Sequence, residues 1–153
     1  MNEARKVFTV VELVAAVAIV ATVAAVAAPV YGGIEQKVRV ASAIGDMGQI
    51  EIAISRFLTK DNGALPANLA TVGLNTLNDP WGNPYQYLKI EAIPETGIGA
   101  VRKNRNLIPI NSDYDLYSLG KDGKSDSPLT ATESKDDIVR ASNGAYLGLA
   151  GDF

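Results

Sequence analysis

From Leu13 to Val30 the chain carries no charged residue, and nothing else in its 153 residues constrains the fold as strongly. As a helix rising about 1.5 Å per residue, this stretch spans roughly 27 Å, close to the thickness of a bilayer core. The wider apolar run, FTVVELVAAVAIVATVAAVAAP from Phe8 to Pro29, contains one carboxylate, Glu12. An acidic side chain well inside a membrane costs roughly 2.5–3.5 kcal/mol on insertion scales and usually marks a functional pairing. Glu12 lies near the end of the run, where the cost is lower. Arg5 and Lys6 precede the run and favour a cytoplasmic N-terminus, while Lys37 and Arg39 follow it and oppose that bias.

Two plain readings fit the run by itself. One is a secretory signal with Ala25-Val26-Ala27 as its small-residue cleavage site; the other is a one-pass anchor. The pattern beyond it speaks against a discarded signal. Val40, Ile44, Met47, Ile54 and Leu58, with Ile50 and Phe57 beside them, recur at spacings of three and four and predict one apolar helical stripe. Pro29 and Gly32-Gly33 predict a kink or local loosening between the two parts. Unbroken from Phe8 to about Thr59, such a helix would be roughly 80 Å long.

Composition removes several function classes. The chain has no cysteine, which excludes disulfides, thiol nucleophiles and Cys-ligated metals, and no histidine, which excludes the commonest general base. A net charge of -3 leaves no basic footprint for nucleic acid. No Gly-rich phosphate loop ending in Lys-Ser or Lys-Thr is present, so any energy for assembly comes from a partner.

Downstream, DNGALPANLATVGLN from Asp61 to Asn75 is rich in turn formers and predicts a loop with one short helical turn. Three strands are expected: Tyr85 to Glu91, Asn106 to Ile110 as an edge because Pro109 lacks a donor, and Asp113 to Leu119. They would form a small antiparallel sheet on the C-terminal half of the helix, with Trp81 packed as an anchor. The fold class is therefore α+β.

KVFTVVEL followed by an apolar run containing Pro29 resembles the class III signal of type IV pilins and pseudopilins. DPWGNPYQY, DLYSLGKDG and DDI make the chain most similar to the major pseudopilin of type II secretion systems. The resemblance implies residues 1–7 as a leader, 8–33 as a transmembrane and filament-core helix, and 34–153 as a globular domain. It implies cleavage by a prepilin peptidase between Val7 and Phe8 and N-methylation of Phe8, although the family normally has Gly where this chain has Val7. It further implies that Glu12 pairs with the new amine of a neighbouring copy. Calcium would bind in the C-terminal loop through Asp122, Asp136 and Asp137, with backbone oxygens near Leu119 and Ser125. Implied partners are further copies in a helical homopolymer, minor pseudopilins, and an inner-membrane assembly platform with its ATPase. The chain would sit in the inner membrane before assembly and in a periplasmic filament afterwards. Three stretches depart from the family pattern: Arg102 to Asn111 resembles an insertion, Lys124 to Lys135 is longer than usual, and Val139 to Phe153 replaces a short aromatic ending.

Read without the family, the same acids say less. Asp-Gly is a turn signal and adjacent aspartates are commonly solvated, yet three carboxylates with a few carbonyls also suit a hard cation. DGKSDS argues against an EF-hand, because it lacks that loop's Gly at the sixth position and its closing Glu. A glycosidase-like carboxylate pair ranks low, since no aromatic-lined pocket is legible. The expected function is a non-enzymatic structural subunit that polymerises into a pseudopilus and helps push substrates across the outer membrane. The alternatives are a surface pilin for adhesion or motility and a membrane-anchored calcium-binding module that never polymerises.

Overall fold

The computed structural model describes residues 8–90 and 99–153, and for residues 28–30 the backbone alone. One helix, α1 (Val10–Lys60), is followed by four strands: β1 (Gln86–Lys89), β2 (Tyr114–Ser118), β3 (Ile138–Ala141) and β4 (Tyr146–Leu149). The chain divides into two compact units, Met1–Val38 and Arg39–Phe153.

In the first unit, α1 opens at Thr9, whose carbonyl accepts from Leu13 N at 3.1 Å. Every residue from Phe8 to Ala27 is exposed. The helical backbone continues through positions 29–33, so neither Pro29 nor Gly32-Gly33 breaks it. This helix is long and apolar enough to cross a membrane.

The second unit begins on the amphipathic part of α1. Ala43, Met47, Ile50 and Ile54 are fully buried, with Val40, Ile44 and Leu58 packed beside them. Burying each large side chain of this stripe contributes about 1.5–3 kcal/mol. The helix ends where Asn62 takes a left-handed conformation and Gly63 N returns to Leu58 O at 2.8 Å. The turn-rich segment that follows contains one short 3-10 turn, Leu69–Val72, capped by Asn68.

The sheet is an antiparallel meander in the order β1-β2-β3-β4. Alternation divides its side chains between two clusters. Tyr114, Leu116 and Ile138 join the helix stripe. Val139 and Ala141 join Ile110, Leu129 and Ala150, with Tyr117, Tyr146 and Phe153 around them. Ile110 and Leu129, from segments on either side of β2, thus cover the far face of the sheet.

Three expectations need correction. The first predicted strand is shorter, Gln86–Lys89, and its expected end at Glu91 lies outside the described residues. Asn106 to Ile110 forms no strand. Asn104 and Leu107 instead exchange backbone hydrogen bonds at 3.0 and 2.8 Å around Arg105, which has a positive φ, and Ile110 N turns back to Arg102 O. The C-terminal stretch from Val139, which lies beyond the three expected strands, supplies most of β3 and all of β4. Trp81 packs against the helix-side cluster as expected, partly buried, while Met47, Ile50 and Ile54 are fully buried.

Candidate functional site

Thr9 and Glu12 form a reciprocal pair at the start of α1. Glu12 Oε2 accepts from Thr9 N and from Thr9 Oγ1, both at 2.9 Å, while Glu12 N donates to Thr9 Oγ1 at 3.2 Å. This is a capping box: the side chains satisfy backbone donors that a helix start leaves without intrahelical partners. Glu12 therefore has donors within its own chain, and its negative charge sits at the favourable end of the helix dipole. The Thr-x-x-Glu spacing was a signal for this in the sequence. Phe8 is 81% exposed beside it. Val7 lies outside the described residues, as does the side chain of Pro29.

The five expected calcium ligands lie along the loop after β2. Asp136 Oδ2 accepts from the backbone N–H of Lys121 and Asp122, at 2.8 and 3.1 Å. Gly120 makes this approach possible: a Cβ there would stand 2.4 Å from Asp136 O, and its φ is +63°. Asp122 is exposed, and its Oδ1 closes a turn by accepting from Lys124 N at 2.8 Å. Leu119, directly after β2, is partly buried. Asp137 is fully buried and faces Arg102, whose Nη2 donates to Asp137 Oδ2. Ser125 Oγ donates to the same oxygen at 2.5 Å. Burial pushes the Asp137 carboxyl up to about 6, against the pull of Ser125 and Arg102.

These geometries do not fit a calcium site. Among the described residues no three acidic side chains gather as metal ligands. One carboxylate caps a turn, one closes its own turn, and the third is held by a guanidinium.

The sequence marked Arg102 only as the first residue of the Arg102 to Asn111 insertion, with no role of its own. Its Nη1 donates to Ser125 Oγ and Asp126 O, both at 2.6 Å, and its guanidinium lies 4.2 Å from the Tyr117 ring centroid. Its backbone N donates to Asp115 Oδ2 at 2.7 Å. Asp115 is buried, which pushes its carboxyl upward despite the donors from Arg102 N and Asn111.

A second buried arginine, Arg140 on β3, ties the sheet to α1 inside the second unit. Its Nε donates to Glu51 Oε1 at 2.6 Å, and Nη1 and Nη2 donate to the two oxygens of Asp113 at 2.8 Å each. The guanidinium also lies 4.0 Å from the Tyr114 ring centroid. Burial raises the Asp113 carboxyl, but the bonds from Arg140 and Tyr114 N outweigh it and leave the group below its ordinary value. An open cleft of about 530 Å³ runs beside this pair, lined by Ser55, Arg56, Thr59 and Asn143 among others. No nucleophile–base pair lies among these contacts.

Comparison with protein-family models, with curated proteins and with solved structures returns no match to this chain.

Proposed function

We propose that this chain is a structural subunit of a filament of the type IV pilin kind, closest to a major pseudopilin of type II secretion. Copies would polymerise through the N-terminal part of α1 and help drive substrates across the outer membrane. Before assembly, that part holds the chain in the inner membrane.

One observation carries the reading. Val10, Val11, Leu13, Val14, Val17, Ile19, Val20, Val23 and Val26 are each at least 61% exposed. At about 3.6 residues per turn they fall on every side of the helix, a surface that water does not stabilise. A membrane covers such a helix before assembly, and packed copies cover it afterwards. The capping-box carboxylate at its start is the group from which a neighbour's amine would be paired.

Mass spectrometry of membrane and sheared cell fractions tests the processing step. The proposal predicts a mature chain starting at Phe8 with a methylated amine. A chain starting at Ala28 or Pro29 would remove the helix and overturn the proposal. An uncut chain confined to membranes would favour the non-polymerising anchor instead. Glu12→Ala should leave insertion intact while lowering filament yield, because removing a charge from the run eases entry into lipid.

A further inference from the structure

We infer that the Arg102 guanidinium is the structural cation of the C-terminal loop, which folds on an internal charge where the family resemblance implies bound calcium. The segment that departs from the family pattern as an insertion, Arg102 to Asn111, is the one that delivers this group. Asp137, one of the expected ligands, already bonds to it, as does the hydroxyl of Ser125, whose backbone oxygen was the expected ligand. The same guanidinium reaches Asp126 O at 2.6 Å, so it gathers a carboxylate, a hydroxyl and a carbonyl as a hard cation would.

Both ends of the residue are fixed. The backbone N is held by Asp115, and the planar guanidinium rests on Tyr117, a stacking that a lysine could not reproduce. Arg102 is 2% exposed and Asp137 is fully buried, so each is the other's main compensation for leaving water. A divalent ion on Asp137 Oδ2 would meet a positive charge already there. Asp137 Oδ1 and Arg102 Nε are buried without hydrogen-bond partners among the described residues, so the bond between the two side chains runs through Nη2 and Oδ2 alone. The inference stands on this packing alone, so its failure would leave the filament proposal untouched.

Thermal unfolding of the full-length chain in detergent micelles, followed by near-ultraviolet circular dichroism, tests it. Wild-type Tm should be the same within about 1 °C in chelator and in about 1 mM calcium, the range in which extracellular calcium modules bind. Arg102→Met should lower Tm by about 10–20 °C, the loss expected when one partner of a buried ion pair is removed. Asp137→Asn should also lower it, and the double variant should lose much less than the sum of the two losses, since the pair fails as a unit. Arg102→Lys should recover only part of the loss. A wild-type Tm that rises by about 4 °C or more with calcium but not with magnesium would overturn the inference. So would an Arg102→Met chain that melts like the wild type. If Arg102→Met does not fold, the wild-type response to calcium and chelator decides the matter.

Discussion

The two parts of α1 are both rich in aliphatic residues, yet they meet opposite fates. Residues 10–27 are exposed on every side, whereas Ala43, Met47, Ile50 and Ile54 lose all contact with solvent. The difference lies in what interrupts the aliphatic residues. Around Met47, Ile50 and Ile54 stand Gly48, Gln49, Glu51 and Ser55, which confine apolarity to one stripe and leave Glu51 free to meet Arg140. Between Leu13 and Val26 almost every position is Ala, Val or Ile, so no face is preferred and no single sheet could cover it. Periodicity commits a helix to its own chain, and its absence commits a helix to a different environment.

The largest test of that contrast is a pair of truncations. Met47→Ala should cost about 2–5 kcal/mol in denaturant unfolding of the detergent-solubilised chain, the range for emptying a buried site. Val17→Ala should change the same measurement by no more than about 0.5 kcal/mol. Similar losses at both positions would break the contrast.

Arg140→Met should come next. It leaves Glu51 and Asp113 without their cation, but those carboxylates keep some access to water, with 22% and 33% of their side chains exposed. A loss of about 2 kcal/mol is expected, with a smaller further loss when Glu51→Gln is added.

Thr9→Ala removes one half of the capping box and should cost the start of α1 about 1 kcal/mol. Faster hydrogen exchange at the first helical amides would report it, while the melting of the second unit stays unchanged. A lowered melting temperature would mean that the two parts of the helix are not energetically separate.

The smallest expected effect is a pH dependence. The Asp113 carboxyl lies below its ordinary value in the folded chain, so the unfolded chain binds this proton more readily. Its stabilisation is present above about pH 4 and is lost as pH falls through the folded value. Asp113→Asn should be less stable at neutral pH and should lose that acid step. An unchanged acid limb would show that Arg140 does not depend on this carboxylate.

Much of the fold was legible. The uncharged run, the stripe at spacings of three and four, the capped turn after Asp61 and two of the strands all carry local signals. The capping box was equally legible, because Thr9 and Glu12 stand three apart before an apolar run. The second hairpin was harder. IVRA and YLGL are four residues each, one with a central arginine and the other with a buried glycine, and neither alternates cleanly. Only Ser142-Asn143-Gly144 between them signals a turn, with Asn143 at φ 56°. Least legible were the arginine centres. Glu51 and Arg140 are 89 positions apart, and Arg102 and Asp137 are 35 apart. Such pairs are created by tertiary packing, and no local pattern announces them. Reading Asp137 with its sequence neighbour Asp136 suggested a metal, whereas the fold turns the two carboxylates to different donors.

The central claim is that the uniformly apolar part of α1 is an assembly surface between copies. The chain contains no cysteine, so introduced thiols report only on the positions chosen. A chain carrying Val11→Cys and Val26→Cys, both at exposed sites on that part, should be expressed in cells, oxidised, and its filaments collected after the outer membrane is opened. The account predicts a ladder of disulfide-linked multimers in the sedimentable filament fraction, and its loss when Glu12→Ala is added. Monomer alone, held in the membrane fraction at every pair of positions tried along residues 10–27, would contradict it.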